Sequence, residues 1–234
     1  MNDMTQDRLA GVDLLRDLSP EERQDIEKAA VFRSFSAKQT VFDKDDSNRD
    51  VMFVLAGEVN ITSYSITGKE ISYDQISAGD FFGELAAIDG EPRSATVVTT
   101  QKTQIACLSP DLFRSLLEQH TQLGWKVFAR LAGVIRNSNE RIMDFATLSS
   151  QQRVTSELLR LAKPDAATPG AWSIYPLPTQ SAIASRIGTS RETVARVIGD
   201  LIRGDLMVKK GRAVFIPDRE KLETLVRRLP QDDI

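Results

Sequence analysis

The sequence predicts an α+β chain in three successive parts: an antiparallel all-β domain, a long helix, and a small helical module closed by a β-hairpin. Three observations predict it. Between residues 31 and 108, short strand-like runs alternate with turn residues, and Gly57, Gly68, Gly79 and Gly90 recur every 11 positions, as in an antiparallel sandwich or barrel. From Phe128 to Phe145, apolar residues repeat at alternating spacings of three and four, which marks a helical seam. Beyond Thr179, two capped helical segments meet at Gly188-Thr189 and lead into a hairpin with a cationic tip, the pattern of a winged helix–turn–helix. The expected boundaries are 1–109, 110–146 and 147–234.

The first element is a short helix announced by Ser19-Pro20-Glu21-Glu22. Ser19 suits the N-cap, Pro20 the first helical position, and Glu22 the third, which closes a capping box. Leu14, Leu15 and Leu18 are expected to pack it on the succeeding part of the chain. The strands are read at Val41-Phe42, Val51–Leu55, Val59–Ile61, Ile71–Tyr73, Thr96–Val98 and Ile105–Leu108. Between Tyr73 and Val97, the stretch from Phe82 to Thr96 leaves the strand pattern, with a helix-compatible turn over Glu84–Ile88. An irregular insertion in a regular scaffold is where binding residues tend to lie.

After Ser109-Pro110-Asp111 the chain is expected to be helical to about Ala146. Phe128, Leu131, Ile135, Ile142 and Phe145 form the apolar seam, interrupted by Ser138 with Asn139 beside it. Because the helix outruns the β domain, the seam is read as a dimer contact. Ser138 is either a polar residue that fixes register or the place where a ligand approaches. The helix should break at Thr147-Leu148-Ser149-Ser150, making 146–149 a hinge, and Ser149–Gln152 is a second capping box that starts a helix to about Leu161. Lys163–Gly170, with two prolines, reads as a surface loop.

In the last part, Thr179 caps a helix over Gln180–Ile187, and Ser190 caps a second with Val194, Val197, Ile198 and Leu201 inward. Arg191, Glu192 and Arg196 face outward. Arg191 sits in a first turn, where the helix dipole disfavours a cation. In a DNA major groove the arginines could fork onto guanine O6 and N7, and Glu192 could accept from cytosine N4. Lys209, Lys210 and Arg212 at the hairpin tip suit phosphate contacts, which position rather than specify.

Charge and composition narrow the function classes. Residues 1–149 carry 16 Lys+Arg against 23 Asp+Glu, a net −7, while residues 150–234 carry 14 against 10, a net +4, consistent with −3 overall. That asymmetry fits a nucleic-acid-binding module on an acidic partner domain. With 41% hydrophobic and 27% charged residues, the chain is globular rather than disordered. A single cysteine, Cys107, in an apolar run and a single histidine, His120, exclude an internal disulfide and a thiolate–imidazole metal cluster. No apolar run approaches the about 18 residues of a membrane span, and no secretory signal is visible. The expectation is a cytoplasmic protein with no metal and no membrane partner.

The stretch from Phe82 to Thr96 holds a glycine that frees the backbone next to a carboxylate, Gly83-Glu84, and an arginine followed at once by a hydroxyl, Arg93-Ser94. Arg93 can fork onto two phosphate oxygens, and Glu84 can accept from a sugar hydroxyl. Ser94 and nearby N–H groups could complete an anion nest. A solvated turn with an ordinary Glu–Arg pair is the other reading of the same residues.

Gly79-Asp80-Phe81-Phe82-Gly83-Glu84-Leu85 with Arg93-Ser94-Ala95, and Ser190-Arg191-Glu192-Thr193-Val194, resemble segments of the bacterial cyclic AMP receptor protein (CRP/FNR) family of transcription regulators. The resemblance covers roughly residues 10–220. The family's founding member serves widely as an example of helix–turn–helix docking and DNA bending. The resemblance implies a jelly-roll-like β-roll that binds a cyclic nucleotide, a dimerisation helix and a winged helix–turn–helix. It implies that Gly83, Glu84, Leu85, Arg93 and Ser94 hold the cyclic phosphate and ribose. Ser138 of the same subunit and Asn139 from the partner helix would contact the purine. Asn139 stands where the founding member has a serine, and its amide could serve adenine N6 or guanine O6, so cAMP and cGMP are both expected ligands. The DNA-binding set implied is Thr179, Ser190, Arg191, Glu192, Arg196, Lys209, Lys210 and Arg212. The implied partners are a second copy of the chain, a palindromic operator and, through the 163–170 loop, RNA polymerase. The competing readings are a constitutive or differently gated regulator, and a nucleotide-binding regulatory subunit that reads no DNA. An enzyme fits least, since His120 has no evident nucleophile partner and no P-loop is present.

Overall fold

The computed structural model describes residues 7–64, 70–165 and 168–228, so Gly68 lies outside the described residues. The chain forms two compact units, Met1–Gly133 and Val134–Ile234.

The first unit opens with a 3₁₀ turn, Asp13–Leu15, and helix α1, Pro20–Ala29. The predicted box is present: Glu22 N–H donates to Ser19 Oγ at 3.2 Å, and Ser19 N–H donates to Glu22 at 2.7 Å. Eight strands come next: β1 Val31–Phe35, β2 Thr40–Phe42, β3 Val51–Ala56, β4 Glu58–Tyr64, β5 Glu70–Ser77, β6 Phe81–Phe82, β7 Thr96–Thr99 and β8 Thr103–Leu108. Helix α2, Glu84–Asp89, lies between β6 and β7, and α3, Pro110–Gln119, comes after β8. Two four-stranded antiparallel sheets result, in the orders β1-β8-β3-β6 and β2-β7-β4-β5.

Strand periodicity explains how the layers stack. Met52 and Val54 of β3, with Ile105 and Cys107 of β8, meet Phe42, Val59 and Val97 of the other sheet in one core. Their neighbours Val51, Phe53, Ala106 and Leu108 point the other way, onto Leu15, Ile26, Phe113 and Leu123. Strands β3 and β8 are therefore buried on both faces, whereas β1 at the edge is not, and Leu14, Leu15 and Leu18 join that second core as expected. Cys107 is a buried core thiol, its pKa pushed up to about 11 by burial. Strands β1 and β6, at the edges of their sheet, are not among the strand-like runs read from the sequence.

The helix expected from Pro110 is two helices. His120 leaves helical geometry at φ −124°, ψ 80°, and α4 runs separately over Thr121–Thr147. The sequence hides this break because Phe113, Leu116, His120, Leu123 and Val127 keep the three–four spacing straight through it. His120 thus ends α3 instead of lying inside a helix.

The second unit contains the rest of α4, then α5 Ser150–Leu161, β9 Lys163–Pro164, β10 Trp172–Ile174, α6 Gln180–Ile187, α7 Arg191–Arg203, β11 Val208–Lys210, β12 Ala213–Ile216 and α8 Arg219–Arg228. Ser149 and Gln152 form the second predicted capping box. Lys163-Pro164, read as loop, pairs instead with Trp172-Ser173 as the edge of a sheet ordered β11-β12-β10-β9, and Asp165 N–H closes the turn onto Ala171 O at 2.9 Å. Of that segment, residues 166–167 lie outside the described residues. Helix α8 was not anticipated. Its Leu222 is fully buried among Val154, Leu158, Val214 and Ile216.

Candidate functional site

In the first unit the structure brings Gly83, Glu84 and Arg93 together at the edge of α2. Gly83 precedes the helix at φ 82°, and a Cβ there would lie 2.6 Å from Arg93 Nη1 and 3.0 Å from Asp50 O. Both the backbone sign and the approach of the guanidinium therefore demand glycine. Arg93 is 2% exposed. Its Nη1 donates to Gly83 O at 2.9 Å, and Nη2 donates to Asn48 Oδ1 at 2.7 Å and Asp50 O at 2.6 Å. The guanidinium carbon lies 4.1 Å from the Phe42 ring centroid, a cation–π stack. Burial draws its pKa below the ordinary guanidinium value, with Asp50 and Asp46 opposing. Its Nε is buried without a protein partner.

Glu84 is buried at the first position of α2, and burial raises its pKa although its own backbone N–H, Arg130 and Arg93 all favour the carboxylate. Ser94 and Leu85 are exposed beside this pair. Sequence reasoning missed Arg130, Asn48, Asp50 and Phe42. Arg130 of α4 pairs with Asp80, donates to Phe81 O at 2.8 Å and lies 4.5 Å over the Phe81 ring. Burial opposes its charge, but the bond to Asp80 and the charges of Asp80 and Glu84 outweigh it and raise its pKa. Nothing in the sequence sets Arg130 apart from Lys126, Arg136 and Arg141, the other cations of α4 outside the apolar seam.

Along α4, Phe128, Ile135 and Ile142 are each at least 60% exposed, whereas Leu131 is partly buried against its own domain's core. Ser138 and Asn139 are exposed on the same helix. Phe145 is half-exposed, and its ring also meets Gly188: a Cβ on that glycine would come within 2.8 Å of Phe145 Cε1.

The helix–turn–helix forms as its caps predict. Thr179 Oγ1 accepts from Ala182 N–H at 3.1 Å, and Ser190 Oγ accepts from Thr193 N–H at 3.1 Å. Gly188 turns the chain at φ 64°. Ile183, Ala184 and Ile187 of α6 pack with Val194, Val197, Ile198 and Leu201 of α7. That leaves Arg191, Glu192 and Arg196 exposed on one helix, with Arg196 Nη1 3.8 Å from Asp200. Hydrogen bonds from its own backbone N–H and Ser190 hold the Glu192 carboxyl below the ordinary range, so it stays an acceptor. Lys209, Lys210 and Arg212 are exposed on the β11–β12 hairpin, and Lys210 Nζ sits 5.3 Å from the Phe215 ring.

Residues 32–120 match the cyclic nucleotide-binding domain family, and residues 152–225 match the Crp-like helix-turn-helix domain family. The cAMP-activated global transcriptional regulator CRP of Haemophilus influenzae is 31% identical over 185 residues, spanning 78% of this chain and 82% of its own. The chain belongs to the CRP/FNR family. A second member, the cAMP-activated global transcriptional regulator Vfr of Pseudomonas aeruginosa, is 30% identical over 190 residues, 79% of this chain and 88% of its own. The CRP/FNR fold extends to a CooA mutant from Carboxydothermus hydrogenoformans at a TM-score of 0.78 and 19% identity, covering 94% of this chain and 99% of that one. In this CRP/FNR chain the first match encloses Gly83, Glu84 and Arg93, and the second encloses the two capped helices and the hairpin. Among the described residues, no His, Cys, Asp and Glu side chains gather into a metal-binding group, and no helix is long and apolar enough to cross a membrane.

Proposed function

We propose that the chain is a cytoplasmic, non-enzymatic transcription regulator whose sequence-specific DNA binding is gated by cAMP or cGMP, acting as a homodimer on a palindromic operator. The observation that carries the ligand is Arg93. A guanidinium buried on Phe42, fixed at both terminal nitrogens, and left with an unpaired Nε is ready for an anion. Arg93 and Ser94 would hold a cyclic phosphate, Glu84 would accept from a ribose hydroxyl, and the Gly83–Leu85 backbone would leave them room. Ser138, and Asn139 of a second copy, would meet the purine. Phe128, Leu131, Ile135, Ile142 and Phe145 would bury their exposed faces against that copy.

Two α7 helices would then enter successive major grooves about 34 Å apart. Arg191, Glu192 and Arg196 would read base edges, while Thr179, Ser190, Lys209, Lys210 and Arg212 hold the backbone. The 163–170 segment would be offered to RNA polymerase.

Calorimetric titration with each nucleotide tests this reading. Binding near −8 kcal/mol, micromolar in affinity, is expected, and no heat with either nucleotide would sink it. Titration across pH adds a check on Glu84. A donating hydroxyl favours the carboxylate, so Glu84 must have a lower pKa bound than free. Affinity should therefore fall as pH drops through the raised free value, beginning above the ordinary 4.5, by no more than about tenfold per pH unit. Glu84→Gln should flatten that dependence. In the free protein the sign is opposite. The contribution of Glu84 to stability is complete below 4.5 and is lost as pH rises through the raised value.

On the DNA side, Arg196→Ala should cost about 1–3 kcal/mol on the operator and relax its sequence preference, while Lys210→Ala weakens all duplexes about equally. Equal losses on operator and random duplex for Arg196→Ala would remove it from base reading.

A further inference from the structure

In the second unit the last turns of α4 are bound to the DNA-reading module by side chains, not only by the chain. Arg160 of α5 reaches back to two α4 carboxylates, pairing through Nη2 with Asp144 and through Nε with Glu140 at 3.5 Å. Ser156 Oγ donates to the same Asp144 carboxylate at 3.3 Å. Arg160 Nη1 also donates to Glu157 at 3.1 Å, and the other oxygen of Glu157 lies 3.6 Å from Arg186 of α6. Glu157 is 1% exposed and Arg186 8% exposed, so this part of the chain of charges is shielded from water and sensitive to geometry. The path runs from α4 through α5 to the first helix of the helix–turn–helix. Burial works against the Arg160 charge, but Asp144 and Glu157 outweigh it and raise its pKa.

A second set of contacts holds the same corner. Arg153 donates from Nη1 to Leu148 O at 2.8 Å and from Nε to Ile187 O at 3.2 Å, and its guanidinium lies 5.2 Å from the Phe145 ring. That ring in turn closes on Gly188, the turn residue. The 146–149 segment, which the sequence reads as a hinge, is therefore spanned on both sides by contacts between the elements it joins.

We propose that Arg160 is a positioning residue that makes the C-terminal turns of α4 part of the DNA-reading body. Ser138 and Asn139 then act on α7 through Asp144, Arg160, Glu157 and Arg186, with no free swivel at 146–149. This rests on the proposed nucleotide gating. It differs from a hinge account in one measurable respect: breaking the Arg160–Asp144 contact uncouples the two ligands without removing either site.

The test uses the full chain with Arg160→Met and Asp144→Asn. The latter keeps shape and volume if the former does not fold, and thermal unfolding confirms that each variant is native. Nucleotide affinity without DNA should stay within about threefold of wild type. The gain in operator affinity on adding cAMP should shrink at least about tenfold. By reciprocity, nucleotide affinity for the DNA-bound protein should lose the same factor. A purely structural role would lower affinity with and without cAMP alike and leave their ratio unchanged. A wild-type ratio in both variants overturns the proposal. A wild-type protein with no cAMP effect fails earlier, at the gating on which the proposal rests.

Discussion

Replacing Arg93 with alanine is expected to abolish cyclic nucleotide binding while leaving a folded protein of lower stability. The side chain serves two tasks. Towards the protein, it satisfies Gly83 O, Asn48 Oδ1 and Asp50 O and covers the Phe42 ring. Asn48 is exposed and its Oδ1 also accepts from Asp50 N–H, so the loss falls on the Gly83 and Asp50 carbonyls and on the Phe42 stack, and the melting temperature should fall. Towards a ligand, its forked charge is the feature best suited to a cyclic phosphate, and neither Ser94 nor a backbone N–H replaces a cation in a buried setting. Arg93→Lys separates the tasks. It keeps the charge but cannot fork, and should bind at least about tenfold more weakly than wild type. Calorimetry on samples whose native circular dichroism is confirmed reads both effects. A folded Arg93→Ala protein that binds either nucleotide at wild-type affinity removes Arg93 from the site.

The second large effect is expected at Glu157. Its carboxylate is 1% exposed and lies between Arg160 at 3.1 Å and Arg186 at 3.6 Å. Truncation to alanine removes the carboxylate between them: Arg160 keeps Asp144 and Glu140, while Arg186, only 8% exposed, loses its ion pair with Glu157. Removing one partner of such a buried pair typically costs about 3–5 kcal/mol. Glu157→Leu fills the volume but not the charge and should cost a similar amount. Urea unfolding followed by Trp172 fluorescence, with Trp125 of the other unit replaced by Phe in every protein compared, reports on this unit, because Trp172 lies in its sheet and stacks under Arg219 at 4.1 Å. A loss below about 1 kcal/mol would mean that Glu157 is not what holds the two arginines.

Sequence reading succeeded where the determining interactions are local. Ser19, Ser149, Thr179 and Ser190 each cap the helix predicted from them because a cap is settled within four residues. Gly57, Gly79 and Gly90 all take positive φ and punctuate the β domain as their spacing suggests. It failed where periodicity carried no mark of the event. The spacing of Phe113, Leu116, His120, Leu123 and Val127 is continuous although the helix is not. It failed again where partners are remote in sequence. Arg130 finds Asp80 across 50 positions, and Arg93 finds Asn48 across 45, so the surroundings of Gly83 and Glu84 were invisible even with both residues singled out. The corner at 146–149 shows a third limit. Its capping box was legible, but the tie from Arg160 to Asp144 across it spans 16 positions and was not.

Whether a nucleotide bound near Arg93 governs DNA reading by α7 is tested most directly by fluorescence anisotropy. The chain is titrated onto a palindromic duplex selected from a random pool, with and without saturating cAMP or cGMP. Affinity for that duplex should rise at least about tenfold with one or both nucleotides, while affinity for an unselected duplex changes little. Superimposable curves with and without nucleotide would contradict the account.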